Sequence, residues 1–397
     1  MSIWSSLYTA TSGITAYGNA MGVVGDNIAN VNSIGFKGSR ASFAAVLGGI
    51  GPHQSRIGAG VFMDGAETGF GQGSLQQTGD NYHVALQGKG YFMVKGSHLG
   101  QEGAFYTRDG RFQNLNGVLS TTDGLRVQGF PWDPIQGDFS AVRGDLALDN
   151  YLPPEATTQA KLRLQLPNDT GATSPFSRNE SFTVYDSLGE AHTVNLVFTS
   201  GGLGSNHWDW TAQEAGTGVT LGGGGLDFDT EGNLVAQVGG PLAATFPGAA
   251  AMVLDLDFGN SRQSNEAATM IPNVNGHGAE TLSSVQVAED GTITGVYDKG
   301  GTRKLGRLAV ASFGAESGLE HTGGQLFRET AASGPALVGV AGSGGHGSVL
   351  SGVLEGSNVD LGTELVTMIT YQRAFQANAR AVSAADEMLS ETANLKR

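Results

Sequence analysis

The side chains best suited to chemistry are eight histidines, at positions 53, 83, 98, 192, 207, 277, 321 and 346, and several close carboxylate pairs. No two histidines lie nearer than 15 residues in sequence, so H-E-x-x-H and similar local metal spacings are absent. Asp227, Asp229 and Glu231-Gly232 open like a calcium loop, but its twelfth position is Val238, where a bidentate Glu is required. A turn before Leu234-Val235 accounts for them better. Gly342, Gly344 and Gly347 satisfy G-x-G-x-x-G, yet they lead into Val349-Leu350-Ser351 rather than opening a helix, as a dinucleotide site needs. The chain has no Cys, which removes disulfides, thiolate ligands and thiol nucleophiles, and no Ser stands in G-x-S-x-G. Asp255 and Asp257 could act as acid and base, but carboxylates two apart on a strand share a face and ordinarily sit in solvent. No catalytic, cofactor or metal site is expected.

The elements that would carry such residues are more informative. Ile3, Leu7, Ala10, Ile14, Tyr17, Met21, Val24 and Ile28 follow one another at alternating steps of four and three, the a/d seam of a coiled coil. The far end repeats the rhythm in Leu361, Leu365, Met368, Gln372, Phe375, Ala379, Val382, Asp386 and Leu389, with Gln372 and Asp386 as polar members. Gly13, Gly18, Gly22 and Gly25 each weaken the first helix by up to ~1 kcal/mol relative to Ala. Helices of this kind are expected to gain order by pairing with each other or with neighbouring chains.

Charge separates the ends from the middle. The net charge is −15; residues 1–36 carry only Asp26, and residues 361–397 balance four basic against four acidic groups. The acidic middle argues against nucleic acid as a partner, since holding phosphates requires Lys and Arg. Met1–Gly25 is uncharged, but Ser2, Ser5, Ser6, Thr9, Thr11, Ser12, Thr15 and Asn19 interrupt it, so neither a cleaved signal peptide nor a membrane span is expected.

Between the ends the signals are β. Gly-rich 37–80 reads as an extended connector with short strands. From Asn81, Tyr91–Val94, Phe105–Arg108, Arg111-Phe112 and Val118-Leu119 are strand-like, with Asp109-Gly110 and Asn116-Gly117 as hairpin turns. Leu162, Leu164 and Leu166 alternate with polar residues, Ser181–Tyr185 and Ala191–Phe198 flank a turn at 186–189, and Trp208 and Trp210 share one face. Strands recur at Thr292–Tyr297 and Leu305–Phe313. The expected fold is multidomain and mainly β, with nested barrel or sandwich domains and terminal helices forming a coiled-coil domain. The expected divisions are 1–36 with 357–397, the connector 37–80, an inner β domain 81–150 with 287–356, and an outer insert 151–286.

The two ends of the chain carry a family resemblance. Ser5–Gly13 with Asn27-Ile28-Ala29-Asn30-Val31-Asn32-Ser33-Ile34-Gly35-Phe36-Lys37 resembles the amino-terminal signature of the bacterial flagellar rod and hook axial proteins. Ser357-Asn358-Val359-Asp360-Leu361 and Tyr371-Gln372-Arg373-Ala374-Phe375-Gln376-Ala377-Asn378-Ala379 resemble the family's terminal helix. Gln87–Phe92, Tyr106–Gly110 and Val127–Phe130 resemble its β core, while Val184–Thr193 and Gln325–Gly334 resemble the hook member in particular.

The resemblance implies a structural subunit that polymerises with itself into the curved, flexible hook and transmits torque from rod to filament. It further implies distal rod and hook–filament junction proteins as partners, together with the hook cap and the flagellar type III export apparatus. The implied location is the extracellular flagellum, reached without a cleaved signal peptide. A straight distal rod subunit and a secreted β-rich enzyme are the alternative readings. Replacing Leu365 and Met368 together with Glu is expected to abolish assembly while 81–356 stays folded, because an unpaired charge buried at a packed seam costs several kcal/mol. Normal tubes from that variant in negative-stain images would exclude the seam.

Overall fold

A computed structural model describes residues 3–47, 58–167, 176–202 and 205–394. Residues 48–57 of the connector, His53 among them, residues 168–175 and 203–204 of the insert, and both chain ends lie outside the described residues. Two long helices, α1 (Ile3–Ala29) and α2 (Leu361–Asn394), bracket thirty strands among the described residues, so the chain is mainly β with helical ends.

Hydroxyls that interrupt the apolar character of α1 turn back on its own backbone. Thr9, Thr11 and Thr15 donate to the carbonyls of Ser5, Leu7 and Thr11, four residues earlier, which satisfies each hydroxyl without leaving the helix. α1 packs antiparallel on α2, with Gly13 opposite Asn378 and Tyr17 opposite Tyr371. A Cβ at Gly13 would stand 2.8 Å from the Asn378 side chain, so glycine there permits the close approach of the two helices.

The connector is more ordered than a Gly-rich linker. Strands β1 (Ser39–Leu47) and β2 (Gly58–Thr68) pair antiparallel as a long ribbon against α1. Phe43 of the ribbon meets Tyr17 at 5.3 Å and Tyr371 at 5.9 Å between ring centroids, joining ribbon and both helices in one aromatic cluster.

The chain divides into two units, one of residues 1–148, 284–295 and 303–397 and the other of 149–283 and 296–302. In the first, residues 303–312 of the strand Thr302–Ser312, then Arg126–Asp133, Tyr91–His98, Gln101–Thr107 and Leu326–Arg328 lie side by side in that order. Tyr91, Tyr106, Phe313 and Phe327 fill one core of this unit. The Asn116-Gly117 hairpin forms as expected, joining Phe112–Leu115 to Val118–Thr121 with both turn residues at positive φ. Asp109-Gly110 does not make a hairpin. Gln101–Thr107 pairs instead with Tyr91–His98 through a turn at Leu99-Gly100, where Leu99 adopts φ 50°. A leucine in the left-handed region carries no hairpin signal in the sequence.

The second unit is a sandwich. Ser177–Tyr185, Ala191–Ser200, His207–Glu214, Thr220–Phe228 and Leu234–Gly239 form an antiparallel meander in chain order. Gln159–Pro167 centres the facing sheet, paired parallel to Met252–Asp257 and antiparallel to Thr269–Val274. Leu162, Leu164, Leu166, Trp208 and Trp210 all enter the core between the sheets. A fragment spanning 149–302 contains only these two tryptophans. It is expected to fold alone, with blue-shifted emission that is lost cooperatively in urea. Trp208→Ala should lower its stability by about 3–5 kcal/mol. A fragment that emits as unfolded in buffer would show that this unit lacks an independent core.

Candidate assembly surface and its junction

The family-motif residues converge where the helices leave the β structure. α1 ends as Asn30 donates from its amide to the Asp26 carbonyl and receives the Ser33 hydroxyl. Gly35 then turns the chain at φ 69°, and a Cβ there would stand 2.8 Å from the backbone nitrogen of Asp109. Its own N–H donates to the Glu355 carbonyl at 2.7 Å. Phe36 and Lys37 follow, both buried.

Lys37 Nζ lies 2.6 Å from Glu355 Oε1, and Arg108 Nη1 lies 3.1 Å from Glu355 Oε2, with the Lys37 and Glu355 side chains fully buried. One carboxylate thus meets two cations. Backbone carbonyls take further donors: Lys37 Nζ reaches Gly71 O at 2.8 Å and Arg108 Nη2 reaches Gly88 O at 2.8 Å, while Arg108 Nε, also buried, has no hydrogen-bond partner among the described residues. The Gly73 N–H adds a 2.9 Å bond to Glu355 Oε1, and the Arg108 guanidinium lies over the Tyr91 ring. Burial lowers the Lys37 pKa below its ordinary value, and the Glu355 charge opposes that shift.

Asn358 completes the junction on the helix side. Its Oδ1 accepts the Gly38 N–H at 2.8 Å, and its amide donates to Gly69 O and Gly71 O. Val359 packs against Gly38, and Asp360 caps α2 by accepting the Thr363 N–H at 2.7 Å. The Thr363 side chain, together with this N–H, bonds to the ionised carboxylate and holds the Asp360 pKa below its usual value.

Within one chain the stripe of α1 that faces inward is Ala10, Gly13, Ala16, Ala20, Val24 and Asn27, all buried. Ala10 and Val24 belong to the heptad series; Leu7, Ile14, Tyr17, Met21 and Ile28 flank the stripe half-buried, and the Ile3 side chain lies outside the described residues. On α2, Met368, Phe375, Ala379, Val382 and Leu389 are half-buried, and Tyr371, Asn378 and Ala385 share their face. Leu361, Leu365, Gln372, Arg373, Gln376 and Asp386 are exposed in the single chain. Small side chains thus make the closest contact, and several large ones are left at the surface. Glu355 and the small-residue stripe escaped the sequence reading. A lone Glu in a Gly-rich run, placed just before the Asn358 motif, was the available signal for the first.

The chemical candidates resolve into turns. Asp229 Oδ1 accepts the N–H groups of Glu231 and Asn233. Gly342 N–H bonds to Gly347 O in a loop that opens no helix. Asp186, Glu190 and His192 cluster closely enough to hold a cation. Asp186 Oδ1, however, is engaged by the N–H groups of Leu188 and Glu190. His192 bonds to Asp186 Oδ2 at 3.2 Å and stacks on Phe246 at 3.6 Å, so the group shapes the hairpin turn.

Paired terminal helices locked to a β unit by a buried junction, with apolar side chains left outward, define an axial assembly subunit. Four family models match: "Flagella basal body rod protein" over 7–37 and "Flagellar hook protein FlgE/F/G D1 domain" over 85–173. "Flagellar basal body protein FlaE D2 domain" matches 155–277, and "Flagellar basal body rod FlgEFG protein C-terminal" matches 350–395. The chain is 34% identical to the flagellar hook protein FlgE of Salmonella typhimurium, over 98% of this chain and 100% of that one. It is 29% identical to FlgE of Treponema pallidum over 99% of each. The crystal structure of Helicobacter pylori flagellar hook protein FlgE2 shares the fold, with a TM-score of 0.50 and 12% identity over 69% of this chain and 98% of that one. The chain belongs to the flagellar hook protein family; it is a structural subunit of the flagellar hook and not an enzyme.

Removing the Glu355 carboxylate leaves two buried cations facing each other. Glu355→Ala should cost about 3–5 kcal/mol of stability in the first unit, measured by urea unfolding. Combining it with Lys37→Met and Arg108→Met should recover part of that loss. An unchanged unfolding midpoint for Glu355→Ala would show that the triad does not hold the junction.

Proposed function

We propose that the terminal helices form the contacts between copies in the hook tube, while the acidic residues 151–286 face water and permit the tube to bend. The observation that carries this reading is the set of large apolar side chains left outward on the helical end. Trp4 is 69% exposed, Tyr8 62%, Val366 66% and Met388 51%, values that a monomer in water has no reason to maintain together. The exposed heptad positions Leu361, Leu365, Gln372 and Asp386 are assigned to contacts with neighbouring copies. Neutral helical ends can pack without the repulsion that a net charge of −15 imposes elsewhere, and repulsion between the acidic inserts is screened over about 8–10 Å.

The proposed partners at the two ends of the polymer are the distal rod and the hook–filament junction proteins, with the hook cap present during growth. Passage through the flagellar type III apparatus without leader cleavage fits the use of the uncharged N-terminal stretch as a packed helix, since Ala10, Ala16 and Ala20 lie in the helix pair. Excising 151–286 and bridging the gap with a short Gly linker should still yield tubes, but straight ones that support poor motility. Curved hooks in electron micrographs of the excised protein would place curvature elsewhere.

A further inference from the structure

We infer that one copy seats the outward ridge at the start of α2 in a groove between α1 and β2 of the next copy. The inference rests on the reading that this chain polymerises, and it adds which two surfaces meet. The groove has a volume of about 360 Å³ and is lined in part by Tyr8, Thr11, Thr15 and Asn19 of α1 and by Phe62 and Met63 of β2. No acidic or basic side chain lines it, in a chain whose net charge is −15. Tyr8 and Phe62, at 62% and 46% exposure, form apolar parts of its wall that water now covers.

The matching convex surface is Leu361, Leu365 and Ile369, spaced by four residues so that they stand in one ridge, with Val366 beside them. These four are 43–66% exposed and uncharged. A ridge of this kind packs into a groove on another helical surface. Both surfaces lack charge, so pairing them strands no ion in a dry contact.

A chain cannot satisfy its own groove. Gly13 opposes Asn378 and Tyr17 opposes Tyr371, so residues 361–369 lie beyond Tyr371 toward the far end of α1, away from the groove at 8–19. At 1.5 Å per residue the two surfaces are offset by roughly 15 Å along the helix pair. Each copy therefore presents a free ridge and a free groove. Contacts between unlike surfaces do not close as a two-fold dimer does but run head to tail from copy to copy, which gives an open filament wherever the rotation does not close into a ring.

The absence of native Cys makes the pairing directly testable by thiol cross-linking of the full chain. A chain carrying both Thr15→Cys and Leu365→Cys, polymerised and oxidised, should run as a ladder of oligomers on a non-reducing gel. A mixture of the two single variants should stop at dimers, and neither single variant alone should cross-link. Dimers from Leu365→Cys alone would mean that two ridges meet, and dimers from Thr15→Cys alone that two grooves meet; either result overturns the pairing. Tubes without a ladder from the double variant overturn it also, and leave the hook reading standing. Failure of the Cys-free parent to form tubes under the same conditions overturns the assembly reading and the pairing with it.

Discussion

Two cations share one carboxylate in the interior of the first unit, and that imbalance governs how the two ends of the chain are held. Lys37 follows the N-terminal motif, Glu355 precedes the C-terminal one, and Arg108 belongs to the β core, so the ion triad ties three distant stretches together. Taking charges out of water is costly, and a buried pair offsets that cost only when its remaining hydrogen-bonding groups are also satisfied. The carbonyls of Gly71 and Gly88 supply most of this second layer by accepting Lys37 Nζ and Arg108 Nη2, while the buried Arg108 Nε is left without a partner among the described residues. The route of the backbone through 69–73 is thereby fixed as well, with the Asn358 amide bonding to the carbonyls of Gly69 and Gly71.

The junction has a consequence for assembly. α1, weakened by four glycines, gains little from intrinsic propensity, so its place depends on tertiary contacts. Asp360 starts α2 next to Asn358, and Gly35 ends the turn after α1 against Asp109, which sets both helices on one base. The aromatic cluster of Tyr17, Phe43 and Tyr371 then joins helices and ribbon. A subunit that transmits torque requires such continuity between its assembling helices and its β structure, because a loose hinge there would absorb rotation instead of passing it on.

The second unit is built on different terms. Its main core is apolar, formed by aromatic and aliphatic side chains from two sheets, and the carboxylates it buries, Asp186 and Glu280, accept backbone N–H groups. Asp186 shows the pattern: burial raises the pKa of its carboxyl, but the N–H groups of Glu190 and Leu188 and the His192 ring outweigh that and hold it below the usual range. The same residues that resemble a cation site are thereby committed to a hairpin.

Much of this architecture is determined locally and is therefore legible in the sequence. Period-two alternation at Leu162, Leu164 and Leu166 specifies a half-buried strand, Asn116-Gly117 specifies a tight hairpin, and the four-three spacing at each end specifies helices with one apolar stripe. Period alone could not decide which neighbour each stripe faces. The two helices approach through Ala10, Gly13, Ala16 and Ala20, because small side chains permit close packing, and this leaves several larger heptad residues outward. Nor could spacing pair Lys37 with Glu355, 318 residues apart, or place Leu99 in a left-handed turn. Those features arise from the cost of burying charge and from strand pairing imposed by the assembled core, forces that act only once the chain has brought distant residues together.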